Sequence, residues 1–246
     1  MRWIFVFYVF LTATQMQAQT AIEIIKKADD LMKGESNESV MTMKIIRPTW
    51  ERSISMKTWN LGSEYSLVLI TAPAKEKGQV FLKRKNEMWN YVPSINRMIK
   101  LPASMMSQGW MGSDFTNDDL LNESSMVVDY NHKILGNETL AGYDCYVIEM
   151  TPKEGSAVVW GKVKKWISKK NYFQLKTEYY DEDFQLVRTE TTSDIKKMDD
   201  REIPTHFEII PADAKEQKTQ MTIVSIKFKI TLTEAFFSQQ KMKTIK

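Results

Sequence analysis

The residues with the clearest potential for chemistry are four acids near the middle of the chain, Asp114, Asp118, Asp119 and Glu123. Paired carboxylates can bind a cation or act as general acid and base. Their spacing lacks the alternating acids, central glycine and terminal glutamate of a calcium-binding loop. Helix capping explains them better, because Thr116 can cap a short helix over residues 117–121 that begins with these acids. We therefore predict no metal site and no catalytic pair here.

The two histidines and the cysteine do not form a recognisable catalytic set. His132 and His206 are far apart in the sequence, and no Gly-x-Ser-x-Gly elbow supplies a nucleophilic serine. Cys145 shares no nucleophile motif with either histidine, and one cysteine with two histidines falls short of the usual zinc ligand sets. The chain also lacks a glycine-rich phosphate loop. The sequence thus predicts no enzyme and no cofactor.

Charge and composition narrow the function classes further. Of 246 residues, 43% are apolar, and 34 Lys and Arg against 31 Asp and Glu give a net charge of +3. This excess is too small to neutralise a run of nucleic-acid phosphates. The lysine runs are interpreted as solvated strand faces, with contact to an anionic membrane or partner as the alternative. These runs are Lys83 to Lys85, Lys162 to Lys165, and Lys169 with Lys170.

The first residues have the pattern of a secretory signal peptide. Arg2 precedes an apolar run from residue 3 to residue 13, and a polar stretch then leads to Ala18. The run is too short for a membrane-spanning helix, which needs roughly 20 apolar residues. We predict a signal peptide over residues 1–18 and a single soluble domain over residues 19–246 that is not lipidated. Met16 is large for a cleavage site, so an uncleaved anchor is the alternative.

The rest of the chain has one helical pattern followed by many strand patterns. Apolar residues recur every three or four positions over residues 20–33, between a Thr20 cap and Gly34. Beyond Gly34, alternation and turn residues predict an antiparallel, mainly β or α+β fold that curls into a barrel or splits into a sandwich. The predicted strands are 41–45, 50–59, 65–71, 79–84, 87–92, 126–135, 143–151, 158–168, 172–180, 184–195, 205–210 and 219–231.

The strand faces carry flexible apolar side chains whose role depends on what covers them. The chain contains 16 methionines, and thioether side chains adapt to ligands of variable shape. A period of two marks a buried face, but it does not distinguish a cavity wall from a solid core. Residues 102–113 have no clear period and yet include several bulky apolar residues, so this loop must cover an apolar surface or be covered itself.

Several segments resemble the LolA-like family of outer-membrane lipoprotein-sorting proteins. The closest are WNYVPSINRMIKLP at residues 89–102 and GWMGSDFTNDDL at residues 109–120, with GQVFL at 78–82 and a weaker match at 140–148. The MGSDF signature marks a branch of this family. The resemblance covers most of residues 20–235. It implies an incompletely closed antiparallel β-barrel, with an N-terminal helix and a short helical lid over an apolar cavity.

The resemblance also implies which residues would bind a ligand. The predicted cavity wall comprises Met41, Met43, Ile54, Met56, Leu67, Leu69, Leu82, Trp89 and Tyr91, and the predicted lid comprises Trp110, Met111 and Phe115. A one-residue error in strand parity would turn a whole face outward. The best-known members hold the lid shut with an arginine on an early strand. Four residues are candidates for that role, and none is assigned: Arg47, Arg52, Arg84 and Arg97.

The function implied is that of a periplasmic carrier that encloses acyl chains of a lipoprotein or lipid and moves them towards the outer membrane. The expected partners are this cargo, an inner-membrane exporter and an outer-membrane acceptor, with only peripheral membrane contact and no nucleic acid. The alternative is an accessory protein that docks on a membrane exporter and has a filled barrel without ligand. A hydrolase using the acids of residues 114–119 is a third hypothesis.

Overall fold

The computed structural model of the protein describes residues 19–85, 87–121, 125–156 and 158–246. The predicted signal peptide and Glu123 lie outside the described residues. Within those residues, no helix has both the length and the apolar character that crossing a membrane requires.

Helix α1 (Ala21–Lys33) begins and ends where the sequence predicts. The Glu23 backbone N–H donates to the Thr20 hydroxyl over 3.4 Å, and the Thr20 N–H donates to the Glu23 carboxylate over 3.0 Å. This reciprocal pair satisfies two backbone donors that the first turn leaves free. Gly34 ends the helix with a φ of 60°, a conformation that costs glycine little. One face of α1, including Ile24 and Ile25, is buried against the sheet.

The strands of the described chain form one antiparallel sheet. In chain order they are β1 (Ser36–Arg47), β2 (Trp50–Leu61), β3 (Tyr65–Ala72), β4 (Val80–Arg84), β5 (Glu87–Val92), β6 (Arg97–Lys100), β7 (Tyr130–Leu140), β8 (Tyr143–Pro152), β9 (Lys162–Ser168), β10 (Gln174–Tyr180), β11 (Leu186–Met198), β12 (Arg201–Pro211) and β13 (Lys218–Phe228). Two meanders, β1 to β6 and β7 to β13, join where β1 pairs with β13. Strands β6 and β7 are the two edges, so the sheet is an unclosed barrel.

Each face of the sheet is covered by a different segment of the chain. Residues 101–129 connect the two edge strands, and include 3-10 turns at Ala103–Met105 and Trp110–Gly112 and short helices α2 (Asn117–Leu121) and α3 (Ser125–Val128). With α1, this connection covers one face of the sheet. The C-terminal segment, with a 3-10 turn at Glu234–Phe236 and α4 (Gln239–Thr244), covers the opposite face of β2 to β5.

The predicted mainly β fold is confirmed, and two local differences have physical reasons. Residues 126–128 were expected to start a strand, but they belong to α3 because Met126 packs against α1. Residues 97–100 were not expected to form a strand. They form the edge strand β6 by pairing with β5, where Met98 lies opposite Tyr91.

Candidate functional site

Methionine and aliphatic side chains form the wall of a cavity on the face beneath the connection 101–129. Met41 lies opposite Met56, and Met43 lies opposite Ile54, across β1 and β2. Directly opposite residues of an antiparallel pair share one face. Met41 and Met56 line the open space, whereas Met43 and Ile54 are fully buried beside it in the same cluster. Other apolar lining residues are Val68, Phe115, Leu120, Phe207, Met221, Ile223 and Ile226.

The open space between sheet, α1 and lid has a volume of about 210 Å³. This is far more than the roughly 10–15 Å³ that a single water molecule needs. Ala28 and Met32 of α1 complete its wall. The barrel therefore has room for a ligand on this face.

Five of the residues predicted for the wall lie on the opposite face of the sheet. Leu67, Leu69 and Leu82 are buried with Phe237 and Met242 of the C-terminal segment, and two further predicted residues pack against the same cluster, Trp89 and Tyr91. On β3 to β5, the side chains that face the lid are thus the sequence neighbours of the residues predicted to do so. Val68 lies opposite Phe81, and these two side chains face the lid instead.

The three residues predicted for the lid do lie over the apolar face. Trp110 is buried against Phe81, with 5.2 Å between ring centroids, and Phe115 lines the cavity. Met111 is partly buried beside them and has a φ of 51°. The loop is held in shape by its own backbone, since the Trp110 N–H donates to the Phe115 carbonyl over 2.6 Å.

Arg47 at the end of β1 connects the sheet to the MGSDF segment of the lid. Its guanidinium donates to both carboxylate oxygens of Asp114, over 3.0 and 3.1 Å, and to the Gly112 carbonyl over 3.1 Å. The Thr219 hydroxyl of β13 donates to the same carboxylate over 2.6 Å. Both members of this ion pair are nearly buried. Such bidentate pairs are among the stronger hydrogen-bonded contacts in proteins.

Two further arginines contact the lid. Arg52 of β2 donates to the Met111 carbonyl. Arg188 of β11 donates to the Asp114 carbonyl over 2.6 Å and to the Asp119 carboxylate over 2.7 Å. Of the four arginines considered from the sequence, Arg47 and Arg52 thus reach the lid, whereas Arg84 and Arg97 are exposed.

Arg188 was missed by sequence reasoning because it lies among residues that invert the usual pattern. Leu186 and Val187 beside it are exposed, whereas Arg188 itself is buried between the rings of Trp160 and Tyr179. Burial would lower the pKa of Arg188, but Asp119, Tyr179 and Glu190 together raise this pKa above its ordinary value. The guanidinium therefore stays charged and holds the start of α2.

Asp114 and Asp119, two of the four acids near the middle of the chain, make structural contacts. Asp119 accepts from the Thr116 N–H over 2.6 Å, and the Asp119 N–H donates to the Thr116 hydroxyl over 3.1 Å. This is the helix cap expected from the sequence. Asp114 differs from that expectation, because it pairs with Arg47. Within the described residues, no group of three or more His, Cys, Asp or Glu could hold a metal ion.

The histidines and the cysteine have ordinary local partners. His132 lies 2.8 Å from the Met126 carbonyl, and His206 lies 3.1 Å from the Thr222 hydroxyl. Burial lowers the pKa of His132 and raises the pKa of the Cys145 thiol. A thiol with a raised pKa is a weak nucleophile.

Two lysines contradict the prediction of solvated strand faces. Lys83 is buried and donates to the Ser63 carbonyl over 2.6 Å. Lys165 is buried on β9 and lines the cavity beside Gln174 and Glu190. Strand alternation places Lys83 and Lys165 on covered faces of their strands. Each lies in a run of basic residues, so the sequence does not distinguish its buried lysine from its exposed neighbours.

Comparisons with known proteins agree with this geometry. The model of a protein family described as an uncharacterized protein matches residues 62–244. A LolA superfamily protein from Nitrosomonas europaea is 25% identical, with a TM-score of 0.79 over 91% of this chain and 100% of that chain. The chain belongs to the LolA-like family. No curated protein sequence matches it significantly.

Two other solved structures share the LolA-like fold. A DUF1329 family protein from Desulfovibrio piger has a TM-score of 0.82 and 24% identity, over 90% of this chain and 97% of that chain. An outer membrane lipoprotein-sorting protein domain from Vibrio parahaemolyticus has a TM-score of 0.79 and 22% identity, over 91% and 98% of the respective chains. The cavity beneath the lid of this LolA-like fold is the candidate site.

Proposed function

We propose that this LolA-like protein is a periplasmic carrier that encloses the acyl chains of a lipoprotein or lipid and moves them towards the outer membrane. The observation that carries the proposal is the methionine-rich cavity of about 210 Å³ beneath a lid. Burying a methylene group contributes roughly 0.8 kcal/mol whatever the chain it belongs to. An apolar container therefore binds acyl chains without detailed recognition.

The lid contacts support capture followed by release. Arg47, Arg52 and Arg188 hold the segment from Met111 to Asp119 through a few polar contacts at one rim of the barrel. Such contacts can break without unfolding the sheet, since the lid connects two edge strands that do not pair with each other. Opening would expose the apolar face, and closure would cover the bound chains.

The location and the partners belong to the same proposal. The signal peptide predicted at residues 1–18 supports export, and the Vibrio structure described as a lipoprotein-sorting domain supports acylated cargo. An inner-membrane exporter would load the carrier, and an outer-membrane acceptor would receive its cargo. Neither step makes or breaks a covalent bond. The open space in the barrel does not fit the alternative of a filled barrel that only docks on an exporter.

Titration with a fluorescent fatty-acid probe tests this proposal. Ile223→Trp would place an indole in the cavity, whereas Val224→Trp would place it on an exposed neighbouring position of β13. We expect Ile223→Trp to weaken binding by about tenfold or more, equivalent to losing roughly two buried methylenes. Val224→Trp should bind like the wild type. Should Ile223→Trp not fold, Met41→Trp on β1 replaces it. Equal probe binding by all folded variants would contradict the proposal.

A further inference from the structure

One side of the cavity is polar, although an acyl chain has no group that could form hydrogen bonds with it. Lys165, Gln174, Tyr179 and Glu190 line this side on β9, β10 and β11. Lys165 and Glu190 are both more than nine-tenths buried. Charged side chains are costly to bury. Ligand sites place a few such groups where they fix the orientation and identity of the ligand.

The charged side chains form a row across three neighbouring strands. Thr177 of β10 lies directly opposite Lys165 of β9 and directly opposite Glu190 of β11. The cation and the carboxylate are therefore two strand spacings apart, roughly 10 Å at the backbone. Lys165 donates to the Gln174 amide oxygen, and the Tyr179 hydroxyl lies 3.2 Å from the Glu190 carboxylate.

The middle of this row contains an unsatisfied hydroxyl. The Thr177 Oγ1 is buried and has no hydrogen-bond partner among the described residues. Buried hydroxyls in folded proteins are nearly always paired, and this one lies between the two charged residues that line the cavity. The wall formed by β1, β2 and β3, with Met41, Met56 and Val68, contributes no charged side chain to the lining, whereas α1 contributes Asp29 and Lys33 and α2 contributes Asp118 and Asp119.

We infer that the cargo is an amphiphile whose zwitterionic head group, carrying a phosphate and an amine, enters the cavity together with its acyl chain. Lys165 would bind the phosphate, and Glu190 would bind the ammonium group, while the chain lies along the methionine wall. This inference rests on the proposed carrier function, and it adds the class of head group. A neutral lipid would gain nothing from the buried charges.

Two ligands with the same chain separate head-group binding from chain binding. Monopalmitoyl lysophosphatidylethanolamine and monopalmitoylglycerol would each displace the fluorescent fatty-acid probe from the full-length protein. We expect the wild type to prefer the zwitterionic lipid by about tenfold, as a charge-assisted hydrogen bond would give. Lys165→Met should remove most of this preference, because it weakens binding of the zwitterionic lipid more than binding of monopalmitoylglycerol.

Lys164→Met is the matched control, because Lys164 is the neighbouring residue on β9 and lies over the Trp166 ring on the other face. It should keep the preference. Glu190→Gln is a second variant of nearly unchanged shape. It should also reduce the preference, and it replaces Lys165→Met if that variant does not fold.

Equal affinity of the wild type for the two lipids would overturn the head-group inference alone. Failure of both lipids to displace the probe would overturn the inference, and failure of the probe itself to bind would overturn the carrier proposal as well.

Discussion

Asp114 shows at the scale of single residues how the lid is attached. Its carboxylate accepts hydrogen bonds from Arg47 and Thr219, and its carbonyl accepts from Arg188. The three donors belong to β1, β13 and β11, so one lid residue is fixed to three strands. These contacts explain the aspartate of the MGSDF motif, and the backbone carbonyls of Met111 and Gly112 also accept hydrogen bonds from arginines.

Arg47→Gln tests whether this contact holds the lid closed. The substitution leaves the nearly buried Asp114 carboxylate without its cationic partner. We expect the free energy of unfolding to decrease by roughly 3 kcal/mol, because removing one partner of a buried ion pair leaves the other charge uncompensated. Amide hydrogen exchange should become faster in residues 109–119, while the exchange of the β1 to β3 core stays slow.

Arg97→Gln is the control for that experiment, since Arg97 is exposed on the edge strand β6. It should change neither the stability nor the exchange of the lid. Unchanged lid exchange in Arg47→Gln would show that the ion pair does not determine closure.

His132 gives the protein a stability that depends on pH. Burial lowers its pKa below the ordinary value of 6.5, and the nearby charge of Lys153 acts in the same direction. As the pH falls through about 6.5, the unfolded chain takes up a proton before the folded chain does. The free energy of unfolding should therefore decrease as the pH falls from about 7.5 to 5.5. Urea unfolding across this range should show a smaller decrease for His132→Gln, and an identical decrease would contradict the assignment.

At the scale of elements, the positions of the strands could be predicted, but the parity of three of them could not. In β3, Leu67, Val68, Leu69 and Ile70 are all buried, because the lid covers one face and the C-terminal segment covers the other. A strand buried on both faces has no alternation from which to read parity. On β1 and β2 only one face is strongly apolar, and Met41, Met43, Ile54 and Met56 lie on the lid side.

Neighbouring residues of β3 therefore allow a direct test of parity. Leu67→Ala should destabilise the fold by about 2–5 kcal/mol, because it leaves a cavity beside Phe237. Its affinity for the fatty-acid probe should match that of the wild type. Val68→Ala, by contrast, should weaken probe binding by about fourfold, for a lost contact of roughly 0.8 kcal/mol. The reverse result in probe titration and urea unfolding would restore the parity expected from the sequence.

At the scale of the whole molecule, the linear strand order explains why the site forms where it does. The edges β6 and β7 do not meet, and the chain between them crosses one face of the sheet. That segment becomes the lid, and the cavity lies beneath it. The sequence indicated the open barrel and the lid through a family resemblance. It did not indicate Arg188 or Lys165, because Arg188 binds lid residues 69 and 74 positions earlier in the chain and Lys165 faces a cavity that strands of both meanders line.

The central claim is that the barrel holds acyl chains in its cavity, and native mass spectrometry tests it most directly. The protein would be expressed from its full sequence, exported to a bacterial periplasm and purified without detergent. We expect mass additions that are removed by organic extraction and identified as acylated molecules, and that are reduced in Ile223→Trp but retained in Val224→Trp. A ligand-free mass that stays unchanged after incubation with fatty acid and lysolipid would contradict the account.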